Sequence, residues 1–227
     1  MLRKKLFKPQ RKRSSKLSIK KYIQHIKKLA AVVASFLFIG HANAQSFKAA
    51  MFAGFNMSQI SGDNLGGYDK PGILGGLSIS KDIGEKLILE MQMMYIQKGS
   101  RKFPDIKNND NSRYILNLNY IDIPLNLKYK FQKFKVEIGL SNGVMFKQYV
   151  ANEIGPYPAN SDESKAFHKW ELSYNLGVSF PLTKKIELCG RINHSLLPVR
   201  INRPYQLNWV DKGQFNDALI WFIQYKF

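Results

Sequence analysis

Hydrophobic and polar residues alternate along residues 134–147, which read Phe-Lys-Val-Glu-Ile-Gly-Leu-Ser-Asn-Gly-Val-Met-Phe-Lys. One parity carries large apolar side chains from Phe134 to Phe146, with Asn142 as its polar member. The other parity carries polar or small residues, apart from Met145, between Lys135 and Lys147. A period of two predicts an extended strand with one apolar face. Strands in soluble sandwiches usually run for about five or six residues, so this longer pattern favours a strand that crosses a bilayer.

Seven further segments show a similar alternation, so the sequence predicts eight strands. They are expected at 47–58, 72–80, 86–98, 114–130, 134–147, 168–180, 186–195 and 215–227. The connections alternate strictly between short and long. The short ones lie near 82–85, 131–133 and 181–185, and the long ones near 59–71, 99–113, 150–167 and 196–214.

Outer-membrane barrels have tight periplasmic turns and longer outside loops, and closure removes exposed strand edges. We therefore predict an all-β fold: a single eight-stranded antiparallel transmembrane β-barrel, an up-and-down meander with both termini in the periplasm. The protein would lie in the outer membrane of a Gram-negative bacterium. Pro124 falls inside the fourth strand, and because proline cannot donate a ladder hydrogen bond, we expect a bulge there.

The N-terminal segment predicts export. Residues 1–28 hold twelve Lys or Arg residues and no acid, and an apolar run from Leu29 to Gly40 follows. This run is shorter than the roughly twenty residues that a spanning helix needs. Small residues precede Gln45 in the sequence Ala42-Asn43-Ala44. We therefore predict a signal peptide over 1–44, cut between Ala44 and Gln45, and a barrel domain over 45–227.

Removal of residues 1–44 changes the charge argument. The whole chain has a formal charge of +19, which would favour a nucleic-acid partner. The remaining chain keeps 23 basic and 16 acidic residues, so no nucleic-acid partner is expected. Cys189 is the only cysteine, which excludes an intrachain disulfide.

The inward face of the predicted barrel is charged. An eight-stranded barrel is just wide enough for its own side chains, and a lone charge there would be costly, so we expect a packed, paired polar plug. A two-residue turn at Gln132-Lys133 would place Lys128 opposite Glu137. The predicted lumen network comprises Glu90, Asp122, Lys128, Lys135, Glu137, Glu171, Glu187 and Arg191. Catalytic or conducting carboxylates are the alternative interpretation.

Aromatic residues cluster at predicted strand ends, as in the interfacial girdles of membrane barrels. The predicted girdle comprises Tyr129, Phe131, Phe134, Phe180, Tyr225 and Phe227 on the periplasmic side and Trp170 on the outer side. Phe227 also resembles the C-terminal aromatic residue that barrel-assembly machinery recognises. Loop residues that would contact lipopolysaccharide phosphates are Arg101, Lys102, Arg200, Arg203 and Lys212, with a solvated charge set as the equal alternative.

No catalytic or metal site is predicted. His194 and Ser195 are adjacent, so on a strand they would point to opposite faces, whereas a base and its nucleophile must share one. His168 has no partners that would complete a site. No cluster of His, Cys or carboxylates has metal-ligand spacing, and no cofactor is expected.

Several motifs resemble the PorT-like outer-membrane β-barrel family of Bacteroidetes. They are Gly54-Phe55-Asn56-Met57-Ser58, Gly62-Asp63, Gly67-Tyr68-Asp69-Lys70-Pro71-Gly72, and the segments 89–100 and 118–129. The founding member of that family is implicated in a type IX protein-secretion system and in gliding. The resemblance implies an outer-membrane barrel, and secretion-system proteins as its partners.

The expected function is that of a non-enzymatic integral outer-membrane protein with a plugged lumen. Its outside loops would contact a partner, and its surroundings would be outer-membrane lipid and lipopolysaccharide. Two alternatives stay open, a lipid A-modifying barrel enzyme and a small passive pore.

Overall fold

The computed structural model describes residues 47–63, 65, 67–105, 109–157, 167–200 and 213–227. The predicted signal peptide with its Ala44–Gln45 cleavage site, as well as Arg203 and Lys212, lies outside these residues. Within the described part of the chain, no helix is long and apolar enough to cross a membrane.

Within the described residues, eight long strands and one very short strand make up the fold. Their bounds are β1 Lys48–Ser61, β2 Lys70–Ile83, β3 Leu87–Lys102, β4 Tyr114–Lys130, β5 Lys135–Asn152, β6 Gly155–Pro156, β7 Trp170–Pro181, β8 Ile186–Ser195 and β9 Phe215–Lys226. Several strands extend beyond their predicted limits toward the long loops, where the polar residues gave no apolar signal.

The long strands close into a barrel. Each long strand pairs antiparallel with the next one, and β1 pairs with β9 from Ala50↔Lys226 to Ser61↔Phe215. At this seam a Cβ on Gly54 would lie 2.0 Å from the carbonyl oxygen of Trp221, so only glycine permits the close approach. The predicted eight-stranded antiparallel barrel is therefore confirmed.

The alternation separates a lipid-type wall from an interior. On β5, Ile138 and Leu140 are 59% and 55% exposed, while Glu137 and Ser141 face inward and are buried. Large apolar side chains are exposed in the same way around the whole barrel. A soluble monomer rarely exposes an apolar area of this extent, whereas lipid tails cover it in a membrane.

The expected bulge at Pro124 is wrong. Pro124 stays in register opposite Ser141, and the register shift lies between Asn119 and Tyr120, opposite Phe146. The extra residue on β5 reverses its parity, so Lys147 is exposed and Val150 is buried. Lys147 therefore does not share the inward face of Glu137. The missing N–H of proline interrupts the bridges to β3 locally without moving the register.

The two ends of the barrel differ in their connections. At one end β1 begins, β9 ends, and short turns lie near 84–86, 131–134 and 182–185. We call this end the turn end, and we call the opposite one the loop end. Near the loop end the interior holds buried apolar residues beside buried polar ones, which include Ser58, Lys70 and Ser100. The members of the buried apolar cluster in this region, which we call the apolar cap, are Ile60, Leu116, Val150, Phe167 and Val199.

Candidate functional site

Four buried charged residues meet across the lumen. We call Glu90, Lys128, Glu137 and Arg191 the central ion layer; they come from β3, β4, β5 and β8. The Lys128 Nζ lies 2.8 Å from Glu90 and 3.5 Å from Glu137, while the Arg191 Nε lies 2.6 Å from Glu137. Two cations balance two carboxylates, as buried charges require. The Lys128↔Glu137 register is the one that the turn at Gln132-Lys133 predicted.

Neutral side chains extend the central ion layer to the opposite wall. The Gln92 amide donates to Glu90 at 2.6 Å and accepts from Arg191 at 2.9 Å. From β9, Gln224 donates to Ser78 at 2.9 Å and to Glu90 at 3.1 Å. Hydrogen bonds therefore connect six strands through the middle of the lumen, which leaves little room for a solute.

A second buried ion pair lies nearer the loop end. Lys98 donates to Glu171 at 2.7 Å and to Asn193 at 2.7 Å, and Asn216 donates to the other Glu171 oxygen at 2.7 Å. Lys98 was missing from the predicted lumen network, although its inward parity on the third strand was visible. Its sequence separation of 73 residues from Glu171 hid the pairing.

Two carboxylates at the turn end each contact two lysines. Glu187 accepts from Lys135 at 2.7 Å and from Lys226, and it also accepts from Ser179 at 2.5 Å. Asp82 contacts Lys48 and Lys130, the latter at 2.7 Å. The turn end therefore carries more positive charge than its carboxylates neutralise.

Asp122 differs from the other members of the predicted network. It accepts a hydrogen bond from Ser141, and no ion pair to it exists among the described residues. Its side chain is buried, and its Oδ2 atom has no hydrogen-bond partner there. The structure thus brings seven of the eight predicted residues into ion pairs and leaves Asp122 on a hydroxyl.

An outward polar cluster lies at the loop end of the wall. His194 contacts Asp217 through its Nδ1, and the same carboxylate accepts from Ser61 and from Gln59. Tyr174 and Phe215 flank the imidazole, with ring centroids 5.4 and 6.0 Å away. Ser195 faces inward, as its adjacency predicted, and donates nothing to His194; its hydroxyl accepts from the Asn216 N–H.

Sequence reasoning overlooked this outward cluster because its members are far apart in the chain. Only the β8–β9 register places His194 opposite Asp217, and only the β1–β9 seam adds Gln59 and Ser61. Among the described residues, no group of three or more His, Cys, Asp or Glu side chains could hold a metal ion.

Aromatic rings of the predicted girdle contact one another at the turn end. Phe131 lies between Tyr129 and Phe134, with ring centroids 5.0 and 4.9 Å away, and Phe134 lies 5.8 Å from Phe180. Tyr225 and Phe227 form a second pair at 5.9 Å. Trp170 is exposed at the loop end.

The basic residues at the loop end are held by local contacts. Arg101 lies over the Phe103 ring and Arg200 over the Phe167 ring, at 4.2 and 5.1 Å. Lys102 pairs with Asp110 at 2.7 Å. This lysine, followed by Ser112, holds the pKa of the Asp110 carboxyl well below its usual range.

Residues 43–199 match a protein-family model described as "Outer membrane protein beta-barrel domain". The chain belongs to this family. The protein is accordingly an outer-membrane barrel, as the apolar wall and the sorted connections indicate. No curated protein matches the sequence.

Several solved structures resemble this chain at low sequence identity. Neisserial surface protein A is 16% identical, with a TM-score of 0.45, and the match covers 80% of this chain and 97% of that one. Ail of Yersinia pestis is 11% identical, with a TM-score of 0.44 and coverages of 80% and 99%. OprG of Pseudomonas aeruginosa is 13% identical, with a TM-score of 0.35 and coverages of 81% and 97%.

Proposed function

We propose that this outer-membrane protein is a non-enzymatic barrel that acts through its loop-end surface and not through its lumen. The observation that carries the proposal is the central ion layer. Lys128 and Arg191 are buried with Glu90 and Glu137, and hydrogen bonds that Gln92 and Gln224 donate to Glu90 complete the crossing. A solute could pass only if buried ion pairs separated, and breaking one such pair costs about 3–5 kcal/mol.

The loop end supports contact with a partner. A cavity of about 400 Å³ opens there, lined by residues that include Asp63, Arg113, Glu153 and Arg200. Its mixed charges suit a polar protein surface better than an apolar ligand. The family resemblance in the sequence favours a partner within a type IX secretion apparatus, with lipopolysaccharide phosphates as further contacts of the basic residues.

Conductance tests the plugged lumen directly. The purified protein, reconstituted in a planar bilayer, is expected to show no single-channel steps. A variant that removes the whole layer, Glu90→Ala with Lys128→Ala, Glu137→Ala and Arg191→Ala, should conduct if it still folds, and its heat-dependent gel shift reports folding. Steps of the same size in the natural protein would contradict the proposal and favour a passive pore.

Deletion tests the secretion role. A strain that lacks the gene is expected to lose proteins from its medium and to accumulate them in the periplasm. A complemented strain is the control, and a strain complemented with a loop-end variant, Arg101→Ala with Arg113→Ala, should secrete less. Secreted proteins unchanged by deletion would exclude this role.

One observation favours the alternative of a lipid-modifying enzyme. The imidazole of His194 is held by Asp217 on the outer wall, as a general base would be. However, the Ser61 hydroxyl donates to Asp217 and not to His194, so the contact between a nucleophile and its base is absent. Mass spectrometry of lipid A from the deletion strain and from a His194→Ala strain should match the parent; a changed acyl pattern in both would favour the enzyme.

A further inference from the structure

A cavity of about 500 Å³ opens at the turn end of the lumen. We call it the turn-end vestibule. Its lining includes six lysines, namely Lys48, Lys128, Lys130, Lys135, Lys184 and Lys226. The side-chain carboxylates in the lining are Asp82, Glu90 and Glu187, and Phe227 also lines the vestibule. The vestibule therefore has a net positive charge, although both signs are present.

These charges form two clusters, and each cluster consists of two lysines and one carboxylate. Lys48 and Lys130 share Asp82, while Lys135 and Lys226 share Glu187. Because one carboxylate neutralises one ammonium group, each cluster keeps an excess of one positive charge. Lys184 adds an exposed ammonium group, and no ion pair to it exists among the described residues. Three uncompensated charges around a single cavity attract an anion of more than one charge.

The floor and walls strengthen this attraction. Lys128 and Glu90 form the floor, where they are buried and paired at 2.8 Å. The vestibule is thus blind, because the central ion layer lies directly above it. A narrow cavity with low-dielectric walls concentrates the field of its charges, and ammonium groups are common phosphate ligands. The volume lies within the range of small-molecule sites, about 300–1,000 Å³.

We propose that the turn-end vestibule binds phosphate groups of a multiply charged anion that enters from the turn-end side. Lysines of the two shared pairs and Lys184 would contact the phosphate oxygens. The phosphates can belong to a soluble small molecule or to anionic lipid headgroups at the barrel rim. This site is independent of the proposed loop-end function, so either can fail without the other.

Calorimetry with inorganic pyrophosphate tests the proposal on the folded barrel in a neutral detergent. We expect saturable binding that weakens as salt increases, because exposed charges are screened. Lys184→Gln should weaken binding about threefold, and Lys184→Gln with Lys48→Gln about tenfold. Both positions are exposed, so the variants should retain the heat-dependent gel shift of a folded barrel.

Lys133→Gln is the matched control. Lys133 is an exposed lysine in a neighbouring turn, outside the vestibule lining, and its removal should leave binding unchanged. Equal effects of Lys133→Gln and Lys184→Gln, or no saturable binding by the natural protein, would overturn the site. Nanodiscs distinguish the two phosphate sources: phosphatidylglycerol should abolish pyrophosphate binding if lipid headgroups occupy the vestibule, and should leave it intact if they do not.

Discussion

At the loop end of the lumen, Ile60, Leu116 and Val150 pack with Phe167 and Val199. At the turn end, lysine pairs surround Asp82 and Glu187 in an open vestibule. The barrel interior thus has an apolar cluster near one end and paired, partly open charges at the other, with the central ion layer between them. The difference shows that one narrow lumen can be filled by two physical means, apolar packing and charge pairing.

The two means differ in how they tolerate change. Apolar packing depends on contact with neighbours and loses stability in proportion to the volume removed. A buried layer of ion pairs depends on equal numbers of positive and negative charges, because the removal of one charged side chain leaves its partner buried without a counter-charge. At the open turn end, water screens the same kinds of charge. Four changes, ordered by their expected effect, test this comparison.

The largest effect is expected from Glu137→Gln. The change leaves Lys128 and Arg191 with one buried carboxylate fewer, at a cost of about 3–5 kcal/mol in the free energy of unfolding. Urea titration in lipid vesicles, followed by tryptophan fluorescence, measures it. Adding Arg191→Met restores charge balance and should recover most of the loss. The control is Glu85→Gln in an exposed turn; an equal loss there would contradict a buried layer.

Leu116→Ala in the apolar cap should lower the free energy of unfolding by about 3 kcal/mol, because it leaves a cavity among buried neighbours. Leu125→Ala, which faces outward on the same strand, is the comparison. Lipid tails can fill the space that Leu125 leaves, so the loss there should be clearly smaller. The same urea titration compares them, and equal losses would mean that the cap is not closely packed.

Lys226→Gln at the turn end should cost less than about 1 kcal/mol. Glu187 keeps its contacts with Lys135 and Ser179, and the Lys226 side chain is 29% exposed. Lys98→Gln is the buried counterpart near the apolar cap, and its loss should be several times larger. Equal losses in the urea titration would contradict the expectation that an exposed ion pair stabilises the barrel less than a buried one.

The smallest effect concerns pH at the loop end. Lys102 lowers the pKa of the Asp110 carboxyl in the folded protein. The stabilising contact of the ionised carboxylate is therefore fully present above its ordinary pKa of about 3.9. This contact is lost only as the pH falls through the lower pKa of the folded state. The Ser112 amide donates to Asp110 at 2.9 Å. The NMR chemical shift of the Ser112 amide proton should therefore be the same at pH 4 as at neutral pH and should change at lower pH. A midpoint near pH 4, or an unchanged profile in Asp110→Asn, would contradict this.

The alternation predicted the strands, the order of short and long connections, and the facing of Lys128 and Glu137. The strands and their connections follow from the alternation of neighbouring residues, and the Lys128–Glu137 pairing follows from the length of a single turn. The bulge at Phe146 was missed because an extra residue leaves no composition signal, and the proline that suggested one at 124 fits its strand without shifting the register. Long-range pairs such as Lys98 with Glu171 require the closed barrel before they can be recognised.

The apolar cap did leave a signal in the sequence. On β4 the inward parity carries Lys128 and Asp122, and then Tyr120, Leu118 and Leu116 toward the loop end. Tyr120 marks the change in the chemistry of the inward face, and beyond it the outward positions Asn119 and Asn117 are polar. The inward parity is the same along the whole strand and only its chemistry changes, so a period of two predicts the face without predicting the change from charged to apolar residues.

The seam between β1 and β9 has a consequence for biogenesis. The first and last strands are held together by twelve paired positions, so the contacts that complete the barrel join opposite ends of the described chain. Such distant contacts form slowly, and a chain must wait for its last strand before its first one is covered. The hydrogen-bonding edge of β1 therefore stays uncovered until β9 reaches it. Truncation by a single strand should leave an open edge that the membrane cannot accept.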